Sequence, residues 1–368
     1  MLGACRGLTS AGYDVCAVAH RRPAATHWSR SCAERVVLPD PRENIRHFVD
    51  ALEALLSTGR YGVLIPGSDA ALLAVSEHRD RLEPFARLGL PSPEAVRRSV
   101  DKLLLLEAAA DASLAQPPSR VCSNLREGEA AASELGYPVV LKPARSFQRV
   151  KGGLRQQGVA LVADEAALDV AVRNLAPPFI VQRYEHAHFV SCTGVFADGR
   201  LLALTTSRVQ RLWPPLAGMH TFSETVAAPE GLAERVRDLL AATGWQGIFQ
   251  LQMLELADGT LSVIDLNPRV FASITLDDYA GANLAAVWCD WLLGRDPRPV
   301  VAKPARRYRW EEGELCHLAW QLRHGRLRAA AAAARPHRRV THSWFRVTDP
   351  GPLVARTLDL AIRTRGKP

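Results

Sequence analysis

Absences narrow the reading of this 368-residue chain first. No apolar run approaches the ~20 residues that cross a bilayer, and the N-terminus lacks the charged-then-apolar pattern of a secretion signal. A cytoplasmic protein with no membrane partner is the expectation. The seven cysteines, at positions 5, 16, 32, 122, 192, 289 and 316, are odd in number and form no CxxC pair. That argues against a disulfide framework and against a structural zinc site, and leaves them as small buried hydrophobes. Lysine is scarce: only Lys102, Lys142, Lys151, Lys303 and Lys367 occur among 46 Lys and Arg residues. A chain that nearly always chooses Arg keeps Lys where a compact point charge suits the task.

The net charge of +8 and a pI near 9.4 raise the question of nucleic acid. The basic residues are spread along the chain, and the densest patch, 322–339, is split by an alanine run at 329–334. No helix-turn-helix or aromatic-interleaved RNA motif accompanies it, so no nucleic-acid partner is expected. With 48% hydrophobic residues the chain can bury a substantial core, and its length favours two or three compact units.

Strand and helix signals alternate at first: GYDVCAVAH (12–20), a helix over 43–58, YGVLIPG (61–67) and a helix from 69. This rhythm predicts a parallel sheet covered by helices, of Rossmann-like βαβ type. MLGACRGLTSAG resembles the turn and helix that follow a first strand, yet no strand precedes it. Loop and helix-start residues at 91–101 mark a boundary. A second unit then reads as helix (126–136), strand (YPVVLKPA, 137–144), polar loop (146–153), strand (158–164), helix and strand (FIVQRYE, 179–185). From 186 the chain turns β-rich, with hairpins about Asp198-Gly199 and Ala257-Asp258-Gly259, a helix over 229–244 between them, and an irregular loop at 207–222.

Within SVIDLNPR (262–269), Asp265 and Asn267 alternate onto one face, and counting back through the turn sets Gln252 opposite them. One carboxylate and two amide oxygens at a strand end form a hard-oxygen set suited to Mg²⁺ shared with phosphate. The same residues also suit a strand-end turn in which Asp and Asn satisfy backbone groups. Two lysines bear on the choice. Lys142 ends an apolar strand and Lys102 opens a helix, and two lysines facing one cleft offset triphosphate charge.

The ordered set DK (101–102), PVVLKP (138–143), a loop ending in GG (152–153), IVQRYE (180–185), Gln252 and IDLNPR (264–269) resembles the ATP-grasp superfamily. It is most similar to the branch of carbamoyl-phosphate synthetase and the ATP-dependent carboxylate-amine ligases. The likeness covers residues 1–300 and implies an α/β (α+β grasp) fold. A pre-ATP-grasp unit lacking its usual first strand (1–97) would precede a two-lobed grasp domain (98–300; small lobe about 115–184, large lobe 185–300). Residues 301–368 would be an extension packed on the core. The resemblance implies ATP and Mg²⁺. Lys102 and Lys142 would hold the α- and β-phosphates, the loop from Ser146 through Lys151, Gly152 and Gly153 would close over the γ-phosphate, and Gln182, Arg183 and Tyr184 would read adenine. His188 would meet the ribose. Gln252, Asp265 and Asn267 would coordinate magnesium, and Arg269 would stabilise the transferring phosphoryl group or the acyl phosphate.

The activity so implied joins a small-molecule carboxylate, such as an amino acid, to an amine through an acyl phosphate, with release of ADP and phosphate. Positioning and charge neutralisation carry such a step, in keeping with the lack of any Ser-His-Asp or Cys-His pairing. A phosphotransferase, or a nucleotide-binding protein without turnover, would use the same nucleotide site. Gln182 and Asp265 stand where relatives often have Glu, and the loop is poor in glycine, so Lys151 supplies charge there or is a mobile surface residue. Arg211, beside Arg208, either clamps the substrate carboxylate or is an exposed strand residue. Ser273 is a further candidate to face substrate, and similar families suggest a homodimer.

Overall fold

A computed structural model describes residues 1–215 and 218–365. Residues 2–10 are helical from the start (Leu2–Ser10), with Leu2, Ala4 and Cys5 buried. The single parallel sheet expected next is instead two separate two-stranded parallel ladders, Cys16–Ala19 with Glu34–Val37 and Val63–Leu64 with Arg87–Leu88. The second is short because Pro66 follows two residues after Leu64 and cannot donate to a ladder. The helix Ile45–Leu56 carries Ile45, Phe48, Val49, Leu52 and Leu56 inward at helical spacing, and Asn44 caps it by accepting the His47 N–H at 2.9 Å.

The small lobe is a four-stranded antiparallel sheet in the order Ser119–Cys122, Phe179–Arg183, Val139–Pro143, Ala160–Val162. The helices Leu125–Leu135 and Glu165–Val172 back it, and it has an apolar core of its own around Leu141, Leu168, Phe179 and Val181. The segment read as a polar loop, 146–153, is a hairpin: Phe147–Val150 pairs with Gly153–Gln156. Its strands are mostly exposed, so no hydrophobic alternation marks them.

The large lobe is one sheet in the order Leu261–Asn267, Gly247–Glu255, His188–Ala197, Arg200–Trp213, Met219–Val226, Arg307–Arg309, Val340–His342, with Val300–Val301 added beside Arg200–Trp213. Asp198 (φ 48°) and Gly199 (φ 73°) make the tight turn between its third and fourth strands. Most of 207–222, expected to be an irregular loop, continues two long strands, and residues 216 and 217 of that stretch lie outside the described residues. The segment after residue 300 does more than pack on the core, since two of its strands, Arg307–Arg309 and Val340–His342, extend the sheet.

One apolar cluster joins Ile45, Phe48 and Leu52 of the N-terminal unit to Leu251, Val263 and Leu266 of the large sheet. The N-terminal unit and the large lobe are therefore fixed to each other, and the strand that carries Asp265 is anchored from both sides. Among the described residues no helix is long and apolar enough to cross a membrane.

Candidate active site

Lys102 is placed by stitching between two segments. Asp101 caps the helix Lys102–Asp111, accepting the Leu103 N–H at 3.0 Å, and its second oxygen accepts from Arg145 Nε at 2.8 Å. The Lys102 N–H donates to the Ala144 carbonyl at 2.9 Å. Held at the helix start, the buried Lys102 side chain donates from Nζ to Asp265 Oδ1 at 2.7 Å and to Ser146 Oγ at 3.2 Å. These partners lie 163 and 44 residues away along the chain.

Lys142 arrives from the small-lobe strand Val139–Pro143, opposite Ile180, and its Nζ donates to the Ile264 carbonyl at 3.2 Å. Burial pushes its pKa down to about 8; the Asp265 carboxylate opposes that shift and the Lys102 ammonium adds to it. The two lysines and Asp265 thus share one electrostatic neighbourhood at the junction of the lobes.

Asp265 and Asn267 sit at the end of Leu261–Asn267, where the register sets Gln252 opposite Asp265 and Gln250 opposite Asn267. Paired positions two apart in an antiparallel ladder share a face, so four oxygen-bearing side chains belong to one face. Asn267 donates from Nδ2 to Gln250 Oε1 at 3.2 Å, and Gln250 donates from Nε2 to Ser191 Oγ at 3.2 Å. That fixes the amide of Asn267 with its oxygen turned the other way. The Asp265 carboxylate and the amide oxygens of Asn267 and Gln252 suit a hard divalent cation. Among the described residues no group of three or more His, Cys, Asp or Glu side chains is placed to hold a metal. With a single carboxylate, this set needs phosphate oxygens to complete a magnesium shell.

A cleft of about 450 Å³ opens beside these groups, its lining including Lys102, Ser146, Phe147, Asp265, Asn267, Asp69 and Glu77. The hairpin 147–156 roofs it and is docked on the N-terminal unit. Leu154 N donates to the Arg42 carbonyl at 2.9 Å and Ile45 N to the Gly152 carbonyl at 3.0 Å, while Arg149 pairs with Glu77. A Cβ on Gly153 would lie 2.1 Å from the Arg42 carbonyl oxygen, so glycine is needed for the close approach. Gly152 turns the hairpin at φ 80°, and Lys151 at its tip is exposed.

The expected adenine-reading residues do not line this cleft. Gln182 is buried and donates from Nε2 to Ser119 Oγ at 3.0 Å, leaving its carbonyl oxygen as the acceptor. Arg183 is exposed, Tyr184 meets His186 edge-on with ring centroids 5.0 Å apart, and His188 is exposed at the start of His188–Ala197. Arg211 is not held open for a substrate. Its guanidinium forks onto Glu314 at 2.6–3.1 Å, over the Phe222 ring, with Glu314 buried and Arg211 mostly so. Arg208 is likewise paired, with Glu255 at 2.7 Å. Arg208 finds its partner within the sheet, on Gly247–Glu255, whereas Arg211, at a register irregularity of the same strand, finds its own on the helix Glu311–Arg323.

Arg269 is next to the site without lining the cleft: it donates to the Asn267 Oδ1 at 3.2 Å and to the Val270 carbonyl at 2.9 Å, and its Nε lies 2.8 Å from Asp69 as an ion pair, without hydrogen-bond geometry. Three contributors escaped the sequence reading. Gln250 was within reach of it, two residues before Gln252 and so on the same face. Asp69 and the 42–45 edge had no signal, because their roles depend on how the N-terminal unit docks.

No protein-family model matches the chain. Its sequence is similar to the carbamoyl phosphate synthase large chain of Acidobacterium capsulatum, 25% identical over 300 residues, covering 74% of this chain and 26% of that protein. The chain thus spans about a quarter of that relative's length. Among solved structures, the biotin carboxylase domain dimer of Hydrogenobacter thermophilus 2-oxoglutarate carboxylase, in complex with MgADP, ADP and bicarbonate, aligns at a TM-score of 0.63. The identity is 15%, covering 83% of this chain and 70% of that one. The L-amino acid ligase of Bacillus licheniformis aligns at a TM-score of 0.55 and 18% identity, covering 70% and 63%. Two lobes meeting at the paired lysines, and alignment with these solved structures over 83% and 70% of its length, give this chain the ATP-grasp fold.

Proposed function

We propose that this protein is an ATP-dependent carboxylate-amine ligase, using ATP and Mg²⁺ to form an amide or peptide bond and releasing ADP and phosphate. The observation that carries the reading is the meeting of Lys102, Lys142 and Asp265 from three distant segments, beside a cleft roofed by a hairpin. The similarity to a carbamoyl phosphate synthase large chain and the fold shared with an L-amino acid ligase and an ADP-bound carboxylase domain support the same class.

In this reading Lys102 and Lys142 neutralise the phosphate chain, and Asp265, Asn267 and Gln252 hold the magnesium. Bound there, the cation would spread the charge that develops on the phosphate oxygens. A carboxylate is a poor electrophile, so its oxygen attacks the γ-phosphorus, the bond to ADP breaks, and an acyl phosphate results. The amine nitrogen then attacks the acyl carbon, phosphate leaves, and the nitrogen loses a proton. The hairpin over the cleft excludes water, which would otherwise hydrolyse the acyl phosphate.

A screen of carboxylate and amine pairs, amino acids first, for ADP release with mass detection of products tests the proposal. An amide product that needs both substrates is expected. A stable phosphate ester in place of the amide would assign a phosphotransferase and overturn the ligase reading. Asp265→Asn should reduce turnover to background while the protein stays folded, since the side chain is only partly buried and its amide oxygen can still accept from Lys102. Full activity in that variant contradicts the metal assignment.

A further inference from the structure

Arg269 does not stand alone at the end of the metal-bearing strand. Its Nε lies 2.8 Å from Oδ1 of Asp69, and the two side chains are equally and only partly exposed, at 21% each. Asp69 is not part of the grasp lobes. It opens the helix Asp69–Glu77 of the N-terminal unit, and it lines the cleft. Local structure does not explain its orientation, because Ser68 already caps that helix by accepting the Ala71 N–H at 3.2 Å.

The pairing has a physical purpose. Arg269 follows Asp265 by four residues, and Asp265 is the carboxylate that Lys102 already holds. Without that counter-ion the guanidinium would be left with its bonds to Asn267 Oδ1 and the Val270 carbonyl, neither of which balances its charge. With Asp69 as partner, the guanidinium is drawn to the N-terminal side and still donates to Oδ1 of Asn267 at 3.2 Å. A chain of contacts thus runs from the N-terminal unit through Arg269 to a candidate metal ligand.

We propose that Asp69 is the positioning residue for Arg269, through which the N-terminal unit completes a catalytic centre otherwise built from the grasp lobes. The assignment rests on the ligase reading above. Asp69 touches neither phosphate nor metal in it; it sets where the guanidinium stands when the phosphoryl group transfers.

The test compares full-length wild type, Asp69→Asn, Asp69→Glu, Arg269→Gln and the double variant Asp69→Asn/Arg269→Gln, with Ser68→Ala as a structural control. In Asp69→Asn, MgADP affinity by calorimetry should stay within about twofold and KM for ATP should hold, while kcat falls by about 100-fold. Asp69→Glu should recover part of that loss. The double variant should be no slower than Arg269→Gln alone, since both changes remove one device. Ser68→Ala should lower stability yet keep kcat; a kcat loss there equal to that of Asp69→Asn would reduce Asp69 to a helix-stabilising role and overturn the proposal. Wild-type turnover in Asp69→Asn, or losses that multiply in the double variant, overturns it as well. Wild-type protein that releases no ADP with any substrate pair overturns the ligase reading itself, and this assignment with it.

Discussion

Lys102 and Lys142 occupy one neighbourhood but differ in what surrounds them. Lys102 has an anionic partner at 2.7 Å, whereas the nearest acceptor for Lys142 is a neutral carbonyl at 3.2 Å. The pKa of Lys142 accordingly falls to about 8, chiefly through burial. A triphosphate would restore the charged form. The sign follows: at pH 8 the free protein has lost about half of that proton, and binding takes it back. Calorimetry of MgATP-analogue binding in buffers of different protonation enthalpy should therefore report uptake of about half a proton at pH 8, little at pH 6, and weakening affinity above pH 8. No uptake at pH 8 would separate Lys142 from the phosphates. At this scale much was legible. The scarcity of lysine singled out both residues, and period-two alternation paired Asp265 with Asn267. What was not legible is Arg211, whose partner Glu314 lies 103 residues away on a helix whose docking no local pattern encodes.

Among the elements, the hairpin 147–156 departs most from its sequence. FQRVKGGLRQ has polar residues on both faces, and turn chemistry at Gly152-Gly153 suggests a loop, because strands that cover a cleft bury no continuous face. Pairing is settled instead by contacts outside the hairpin: Leu154 enters the core cluster that contains Ile45 and Phe48, and the backbone bonds to Arg42 and Ile45 hold its second half. Gly153→Ala tests this. The new methyl would meet the Arg42 carbonyl, a backbone atom that cannot swing aside, so the hairpin should lift at a cost of about 1–3 kcal/mol. Hydrogen exchange of residues 147–156 should rise while the large-lobe strands keep their protection. Unchanged exchange in the hairpin would show that its docking on the N-terminal unit is incidental. The β-rich half was easier to read: the hairpins at Asp198-Gly199 and Ala257-Asp258-Gly259 form as turn residues between strand-like runs predict.

For the molecule as a whole, the order of the motifs revealed the fold more completely than any one element did. Packing is shared across the positions at which separate units were expected to divide. The cluster from Ile45 to Leu266 crosses the boundary near residue 97, and strands after residue 300 join the large sheet. Composition changes mark where a chain turns, not which cores merge, so that integration was invisible beforehand. Its consequence is functional: the N-terminal unit, fixed to the sheet, can hold the hairpin over the cleft and Arg269 beside it. The most direct test of the centre so assembled is a crystal of the protein grown with Mn²⁺ and a non-hydrolysable ATP analogue, examined for anomalous scattering. A manganese peak between Asp265 and Asn267, with the phosphates against Lys102 and Lys142, is the predicted result; nucleotide bound elsewhere, or a metal peak away from that strand end, would contradict it.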